Sequence, residues 1–442
     1  MPRPHYAALL TTLDDADLPG AAARIQGELG EREVAYGTSG FRVDPVPRLL
    51  PADEWEEIER GVAQRVRALA RFVADVYGDR RILGAGVMPD HVIPGAEYHE
   101  PEMVGVDMRE SAWLPVSGLD LVRRPDGRFA VLEDNLRAPS GIAYGSVARE
   151  VVEHHVSPLP GAPRPFPGVA YELLGQALRD AAPGDGGDPQ VVILTDGPDN
   201  PAWWEQREMA VQLEVPLVTL ADLERRGGRL HARLERGLVP VDVVYRRTNE
   251  DRLRDEHGRP TTVGAALHEP CRRGTLACVN AFGAGVADDK LVHAYVDEIV
   301  RFYLAEEPLL PSVPAHDVTD PETRQDVLGR LDELVVKPRG EAGGAGVVIG
   351  PKASAEELAE AARGLKADPE TYVVQDMVPL SHHPTLIDGR LEPRHVDFRP
   401  LVMFMRDGVR TATGGLTRVA LERGGMKVNM QENGAVKDTW VL

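Results

Sequence analysis

An acidic segment that follows an apolar run is the strongest candidate for chemistry in this sequence. Residues 131–141 read Val-Leu-Glu-Asp-Asn-Leu-Arg-Ala-Pro-Ser-Gly, so two acids and an amide come directly before a Pro-Ser-Gly turn. Because residues two apart on a strand share a face, Glu133 and Asn135 are expected to point one way and Asp134 the other. Carboxylate and amide oxygens are the ligands that Mg²⁺ prefers, whereas zinc would favour His or Cys. The segment predicts either a magnesium site or an acidic hairpin that faces solvent.

A second strand is predicted beside this segment, because a turn signal precedes it. Pro125-Asp126-Gly127 lies between two alternating apolar runs, and Asp-Gly in that position is a strong hairpin signal. A loop of two residues would place Asp120 opposite Glu133, whereas a loop of four would place Asp120 opposite Val131. Both registers put Asp120 on the face of Glu133, so oxygen donors from two strands are expected to converge.

A lysine and several glycines suitable for a nucleotide come later in the chain. Lys337 ends an apolar strand and is followed by a glycine-rich loop, residues 340–346. Amides without side chains can approach phosphate oxygens, and a lysine beside them adds a compact charge. The lysine precedes the glycines, so the segment is not a Walker loop, and a flexible surface turn is the alternative.

Two further positions carry groups suited to the same nucleotide. Lys290 follows Asp288 and Asp289, either of which could cap a helix over residues 291–303. Gln375 ends an apolar strand, and an amide at a strand edge can hydrogen-bond an adenine. The alternatives are an ordinary capped helix with an exposed lysine, and a plain strand.

Basic and imidazole groups elsewhere have weaker signals. Residues 394–399 and 414–420 place arginines beside apolar segments, and a buried arginine needs an anion, either a bound ligand or a structural carboxylate. The adjacent pairs His154–His155 and His382–His383 lack the i, i+4 spacing of a helical metal face, so structural or surface roles are predicted for them.

Composition argues against several classes of function. The 442 residues are 43% hydrophobic, which is enough apolar content for two or three domains. Fifty basic and seventy acidic residues give a formal charge of −20, so neither a nucleic acid nor a membrane is predicted as a partner. Cys271 and Cys278 have no zinc-ribbon or disulfide spacing. With no apolar signal core and no run of roughly 18 apolar residues, a cytoplasmic protein is predicted.

The order of elements predicts a mixed α+β and α/β protein with three regions. Residues 1–165 carry a helical scaffold and the acidic strands, and a Pro-rich connector ends this region. Residues 166–285 alternate helical patterns with short β-branched runs, which predicts a small α/β layer. Residues 286–442 carry the lysines and the glycine-rich loop.

Taken in order, these segments resemble the circularly permuted ATP-grasp proteins, a branch related to glutathionylspermidine synthetase, over nearly the whole chain. The matching stretches are residues 36–40, 132–141, 244–247, 280–290, 335–338, 394–400, 414–421 and 437–442. The sequence departs from the family pattern at residues 42–45 and 199–204, and at residues 428–435, where the family has a serine- and glycine-rich turn. We expect the departures, including the added charge of Glu432, to alter substrate choice rather than to abolish catalysis.

The resemblance implies a circularly permuted ATP-grasp fold, in which the nucleotide lies between two α+β subdomains. The implied site comprises the Mg²⁺ ligands Asp120, Glu133 and Asn135, the phosphate-facing lysines Lys290 and Lys337, the closing-loop glycines Gly343, Gly344 and Gly346, the adenine-edge residue Gln375, and the catalytic arginines Arg418 and Arg339. Candidates for binding the acid substrate are Arg137, Ser140, Arg246 and Arg247.

Most ATP-grasp enzymes activate a carboxylate as an acyl phosphate, which an amine then attacks. The resemblance therefore implies an ATP- and Mg²⁺-dependent carboxylate–amine ligase that forms an amide bond and releases ADP and phosphate. Its partners would be a small-molecule acid and a small-molecule amine, and a homo-oligomer is compatible with the sequence. Two alternatives stay open, namely an ATP-dependent small-molecule kinase on the same fold and a catalytically degenerate nucleotide-binding partner protein.

Overall fold

The computed structural model describes residues 9, 11–13, 16–157, 162–184, 187–340, 346–425, 428 and 434–442. The helices in these ranges are α1 (Leu18–Glu31), α2 (Ala52–Tyr77), α3 (Arg81–Gly84), α4 (Glu110–Trp113), α5 (Ile142–His155), α6 (Pro167–Asp180), α7 (Trp203–Gln212), α8 (Thr262–Arg272), α9 (Lys290–His293), α10 (Val296–Leu304), α11 (Pro321–Gly329) and α12 (Ala355–Ala367). The strands are β1 (Ala35–Tyr36), β2 (Ser39–Gly40), β3 (Val43–Leu50), β4 (Val116–Arg123), β5 (Phe129–Asn135), β6 (Val191–Leu194), β7 (Leu217–Val218), β8 (Leu223–Arg226), β9 (Arg229–Leu234), β10 (Gly237–Pro240), β11 (Val243–Arg246), β12 (Ala277–Val279), β13 (Ala315–His316), β14 (Leu334–Pro338), β15 (Val348–Ile349), β16 (Tyr372–Asp376), β17 (His382–Ile387), β18 (Arg390–Arg399), β19 (Leu401–Met405), β20 (Gly408–Thr411), β21 (Leu416–Ala420) and β22 (Gly434–Val441).

Nine strands form the largest sheet. Its main path runs β20, β19, β4, β18, β21, β22 and β3, with β5 beside β4 and β17 beside β18. The pairs are antiparallel except for β22 with β3, which is parallel. The strands come from residues 43–135 and 382–441, so the first and third predicted regions contribute to one sheet. The acidic hairpin of β4 and β5 therefore lies directly beside the arginine-bearing strand β18.

Helices cover both faces of this sheet. Asp53 and Glu54 lie in the first turn of α2, where the positive end of the helix dipole stabilises their negative charges. One apolar core joins α2 to the sheet through Trp55, Ile58, Val62, Val66, Leu119, Leu121 and Phe398. Each fully buried side chain of this size contributes about 1.5–3 kcal/mol, so the packing fixes β4 firmly. Helices α1, α5 and α6 cover the other face.

The hairpin of β4 and β5 combines a three-residue loop with a β-bulge. Its loop has three residues, because Arg124 and Arg128 are still hydrogen-bonded and Gly127 adopts a φ of +88°. Both predicted loop lengths are therefore wrong. A β-bulge at Leu132 shifts the register by one residue, and Asp120 pairs directly with Glu133. Without the bulge Asp120 would lie opposite Leu132 and face away from Glu133.

Two four-stranded sheets form the small α/β layer and the support of Lys337. A parallel sheet with the order β12, β11, β6, β7 lies within residues 191–279 and confirms the predicted small α/β layer. A second sheet, β13, β16, β14, β15, is antiparallel and carries Lys337 near the end of β14. The helix predicted after Lys290 is broken into the short helix α9 and α10, and Asp289 caps α9 by accepting hydrogen bonds from backbone amides. In the part of the chain that the structure describes, no helix is both long enough and apolar enough to span a bilayer.

Candidate active site

A cavity of about 620 Å³ lies between the large sheet and the sheet that carries Lys337. The predicted site residues that line it are Asp120, Glu133, Asn135, Arg137, Ser140, Arg247, Lys290, Lys337, Arg339, Gln375 and Arg418. Gly343 and Gly344 lie outside the described residues. Of the predicted residues that are described, Gly346 and Arg246 do not line the cavity. The fold thus brings most of the predicted site together from six separate segments, at residues 120–140, 247, 290, 337–339, 375 and 418.

Asp120 forms a buried ion-pair cluster with two arginines. Its carboxylate accepts hydrogen bonds from Nε and Nη2 of Arg399 at 2.6 and 2.9 Å, and it lies 2.8 Å from Nη2 of Arg418. Burial disfavours the charged carboxylate, but the two guanidinium groups outweigh burial and lower the pKa of Asp120 to about 2. Arg418 also binds Asp397, whose own pKa is raised by burial. The cluster holds two cationic groups at the wall of the cavity.

Glu133 and Asn135 project from the same hairpin towards the cavity. Glu133 Oε1 lies 3.2 Å from Lys337 Nζ, and the Glu133 side chain is 41% exposed. Desolvation acts to raise the pKa of Glu133, but the charge of Lys337 outweighs it and the pKa is lowered. Asn135 donates its amide to Asp120 at 3.2 Å. A carboxylate and an amide therefore share this face of the hairpin with Asp120, as the strand alternation predicts.

These three side chains offer a donor set that fits Mg²⁺ only in part as they stand. Glu133 keeps Oε2 for a cation, and Asn135 keeps its carbonyl oxygen. Asp120 already receives three of its four polar contacts, from Arg399, Arg418 and Asn135, at Oδ2, whereas Oδ1 accepts one, from Arg399. Half a turn of the Asn135 amide would remove its contact with Oδ2 and place its carbonyl oxygen beside the Asp120 carboxylate. That rotation would improve the fit to a cation.

Lys290 lies beside Lys337 on the wall opposite the acidic hairpin. Its Nζ donates to the backbone carbonyl of Arg339 at 3.2 Å. Burial lowers the pKa of Lys290, and the neighbouring charge of Lys337 acts in the same direction against the attraction of Glu133. Two ammonium groups converge on one carboxylate, so this wall can neutralise further negative charge.

Arg339, which the resemblance implies to be a catalytic arginine, is paired with a buried carboxylate. It directly follows β14, it is buried, and its Nε lies 2.9 Å from both carboxylate oxygens of Asp289. Another of its nitrogens donates to the carbonyl of Val92. Because Asp289 also caps α9, Arg339 ties the end of β14 to the helix that begins with Lys290. Its immediate effect is on the position of the two lysines.

Gln375 and Gly346 are the other predicted nucleotide contacts that are described. Gln375 is buried on β16, and its amide donates to the carbonyl of Leu132, the bulged residue of β5, at 3.3 Å. This contact joins the Lys337 sheet to the acidic hairpin at the floor of the cavity. Gly346 has a φ of +65°, which favours glycine at the return of the loop.

Arg247 and Ser140 form a turn clamp at the start of α5. The guanidinium of Arg247 donates to the carbonyls of Ala138 and Pro139, both at 2.9 Å, and to Ser140 Oγ at 2.5 Å. The neighbouring Arg137 pairs with Asp251 at 3.2 Å. Most of the hydrogen-bonding groups of Arg247 are therefore used within the protein. Both Arg137 and Arg247 nevertheless line the cavity.

Arg246 points away from the cavity into the small α/β layer. It donates to the carbonyls of Asp251 and Asn280 at 3.0 and 2.9 Å, and its guanidinium lies 4.1 Å from the centre of the Phe282 ring. Because successive residues of a strand face opposite sides, Arg246 and Arg247 cannot both face the cavity. The expectation that Arg246 contacts the substrate is not supported by its position.

Two residues of this site were not singled out from the sequence. Arg399 shares Asp120 with Arg418, and the spacing of Asp397 and Arg399 two apart on β18 is the signal that places both on one face. Glu205 on α7 accepts the amides of Gly141 and Ala143 at 2.7 and 3.3 Å and lies 3.2 Å from Arg247. No local pattern indicates that Glu205 serves the start of α5.

We expect Glu205→Gln to lower the free energy of unfolding by about 1–3 kcal/mol, because a charged acceptor for two amides and a buried guanidinium becomes neutral. Urea denaturation followed by circular dichroism measures this change. Glu208→Gln serves as the control, because the half-buried Glu208 on the same helix accepts a hydrogen bond from Gln212 at the surface, and it should shift stability by less than about 0.5 kcal/mol. Equal stability of both variants would mean that the contacts of Glu205 with the start of α5 and with Arg247 do not stabilise the fold.

Comparison with known proteins decides the family. The circularly permuted ATP-grasp type 2 family matches residues 47–420, which carry both walls of the cavity. The chain belongs to this family. ATP-grasp proteins normally use ATP and Mg²⁺, and the family is of the ligase type. The family resemblance and the mixed α+β fold class predicted from the sequence are confirmed.

Similar proteins give this ATP-grasp chain further context. An uncharacterised protein of Synechocystis sp. is 41% identical over 410 residues, which cover 91% of this chain and 84% of that protein. A protein of Frankia casuarinae named putative glutamate–cysteine ligase 2-2 is 39% identical over 455 residues, which cover 99% of this chain but 52% of that protein. The structure of a glutathione synthetase-like effector from Globodera pallida in its apo form has a TM-score of 0.59 at 12% identity, covering 100% of this chain and 98% of the other. At that identity the likeness shows the fold alone.

Proposed function

We propose that this ATP-grasp protein is an ATP- and Mg²⁺-dependent carboxylate–amine ligase that acts through an acyl phosphate and releases ADP and phosphate. The observation that carries the proposal is the cavity itself, in which Glu133 and Asn135 face Lys290 and Lys337, with Arg418 at the adjoining wall. Oxygen donors for a hard cation and cations for phosphate thus surround one volume large enough for a nucleotide and a small acid.

The charges of the site match the needs of phosphoryl transfer. This reaction depends mainly on positioning and on neutralising charge, so no protein nucleophile is required. In this proposal Lys290 and Lys337 bind the phosphates, and Gln375 hydrogen-bonds the adenine edge. When bound by Asp120, Glu133 and Asn135, Mg²⁺ supplies further charge neutralisation at the phosphate oxygens.

Arg418 and Arg399 are proposed to steady the transferred phosphate. Asp120 binds both guanidinium groups, and Asp397 also binds Arg418. These contacts orient the two arginines before the substrate arrives. Preorganised cations of this kind stabilise developing negative charge without a reorganisation cost at the moment of reaction. Arg137 remains the proposed contact for the acid substrate, together with the exposed part of the turn around Ser140.

The substrate pocket is proposed to depend on the segment 428–435. This segment follows β21, the strand that carries Arg418, and Val428 lines the cavity. Residues 429–433, including Glu432, lie outside the described residues. Because the segment departs from the family pattern beside the site, we propose that it sets the choice of acid and amine.

Incubation of the protein with ATP, Mg²⁺ and sets of acids and amines tests the proposal. Amino acids, glutamate and cysteine among them, are the first choice, because the Frankia relative bears a glutamate–cysteine ligase name. We expect equal amounts of ADP and phosphate to form only when an acid and an amine are both present. Hydroxylamine in place of the amine should trap the acyl phosphate as a hydroxamate.

Each other result points elsewhere. Release of AMP would contradict the acyl-phosphate route, and a stable phosphorylated product would indicate a kinase. ATP binding in calorimetry without any turnover would indicate the catalytically degenerate nucleotide-binding partner protein, and absence of ATP binding would contradict the ligase and the kinase alike. The variant Glu133→Gln, prepared in the same way, serves as the control for contaminating ATPases.

A further inference from the structure

A cluster of side chains on the surface, away from the cavity, has the chemistry of a transition-metal site. Glu28 lies on α1, and His154 and His155 end α5. One ligand atom from each residue lies within 4.8 Å of the other two. The sequence spacing of the two histidines argued against a metal site on one helix. The third ligand comes from another helix, which that spacing cannot reveal.

The three ligand atoms are already close to the separation that a metal requires. His155 Nε2 and His154 Nδ1 lie 2.7 and 3.1 Å from the same oxygen, Glu28 Oε2. A tetrahedral zinc ion with bonds of roughly 2.0–2.1 Å separates its ligand atoms by about 3.3 Å. These two separations would have to lengthen by roughly 0.2–0.6 Å to admit the ion. The two histidine nitrogens lie within 4.8 Å of each other.

The two adjacent histidines converge at the end of a helix. His154 and His155 are the last two residues of α5. Because neighbouring residues of a helix point about 100° apart, the two side chains must turn towards each other for their rings to meet. The rings stack with centroids 4.3 Å apart.

Glu28 is held in the orientation that a ligand needs. Arg32 Nη2 lies 2.5 Å from Glu28 Oε1, which leaves Oε2 to the histidines. Glu28 and His155 are largely covered, whereas His154 is 70% exposed. The cluster thus has one open side for water or another ligand.

We propose that Glu28, His154 and His155 bind one divalent transition-metal ion, for which Zn²⁺ is the probe. Two imidazole nitrogens and one carboxylate suit zinc and its neighbours, whereas Mg²⁺ prefers oxygen donors. The ion would join α1 to the end of α5, the helix that begins at the turn clamped by Arg247. This inference is independent of the proposed ligase reaction.

Calorimetric titration of untagged protein with ZnCl₂, without nucleotide, tests the site. We expect the unchanged protein to bind one Zn²⁺ per chain. His155→Ala should lose this binding or bind the ion at least tenfold more weakly. His257→Ala removes an exposed histidine elsewhere on the surface and should bind as the unchanged protein does. Zinc at a hundredfold excess over its dissociation constant should raise the Tm by on the order of 3 °C.

Glu28→Gln is the second variant, and it covers the case in which His155→Ala does not fold. It keeps the shape of the side chain and removes the charged ligand, so its zinc affinity should fall as well. Equal zinc binding by the unchanged protein and a folded His155→Ala or Glu28→Gln variant would overturn the proposal, because the ion would then lie elsewhere, for example at the carboxylates of the cavity. Absence of zinc binding by the unchanged protein would overturn it directly.

Discussion

Glu133→Gln is expected to lower ATP turnover by roughly 100- to 1000-fold while the protein stays folded. Glutamine keeps the shape of the side chain but removes the charge that faces Lys337 and, in the proposed function, binds Mg²⁺. Because the side chain is 41% exposed, we expect the Tm to change little. Steady-state release of ADP at increasing Mg²⁺ concentration, with thermal denaturation in parallel, measures both effects.

Glu392→Gln is a matched control for this variant. Glu392 also forms an ion pair, with Arg394 at 2.8 Å, and its side chain is 42% exposed, but it lies outside the residues that line the cavity. Its turnover should equal that of the unchanged protein. If Glu133→Gln retained full turnover, Glu133 would have no part in the reaction, whereas equal losses in both variants would indicate a general effect of charge.

Asp134→Asn is expected to lower the free energy of unfolding by about 3–5 kcal/mol at neutral pH. Asp134 is buried, and its two carboxylate oxygens each lie 2.7 Å from Arg65 on α2, while His293 lies 2.8 Å away. Removing the charge leaves the buried guanidinium with a more distant carboxylate, that of Asp297 at 3.6 Å. Chemical denaturation at pH 7 measures the loss.

The dependence of this loss on pH has a defined sign. Burial acts to raise the pKa of Asp134, but Arg65 and His293 hold it well below its usual range. The stabilisation is therefore complete above the pKa of an unfolded aspartate, about 3.9, and is lost as the pH falls below that value. The difference between the unchanged protein and Asp134→Asn should shrink by about 1 kcal/mol between pH 5 and pH 3.

Asp438→Asn provides the opposite case. Asp438 is also buried against an arginine, Arg149, but burial dominates and raises its pKa. A raised pKa means that the folded state takes up a proton more readily than the unfolded chain, so the stability difference should not shrink on acidification. A constant difference for Asp134→Asn over the same pH range would contradict the depressed pKa.

Local alternation predicts the acidic hairpin well. Glu133 and Asn135 face the cavity and Asp134 binds Arg65 on the other side, as a period of two residues requires. The bulge at Leu132 was not predictable, because a bulge depends on how β5 meets β4, Gln375 and the segment around Ser312. One of the two predicted pairings, Asp120 with Glu133, is thus observed, although neither predicted loop length is correct.

Long-range partners account for most of what the sequence left open. Asp397 and Arg399 are visibly two apart, but no local pattern shows that Arg399 binds Asp120, which lies 279 residues earlier. The same applies to Glu205, which accepts a hydrogen bond from the amide of Gly141, 64 residues earlier. The metal and phosphate roles of the cavity residues remain predictions that the turnover experiments test.

The place of β4 within the large sheet has a consequence for biosynthesis. Strand β4 is flanked by β5 on one side and by β18 and β19 on the other, and these partners are separated from it by very different lengths of chain. At about 5–20 residues per second, the ribosome adds Arg399 roughly 15–55 s after Asp120. During that interval one edge of β4 lacks its neighbours and is open to pairing with other chains. A lower rate of expression or a chaperone that shields this edge should therefore raise the yield of folded protein.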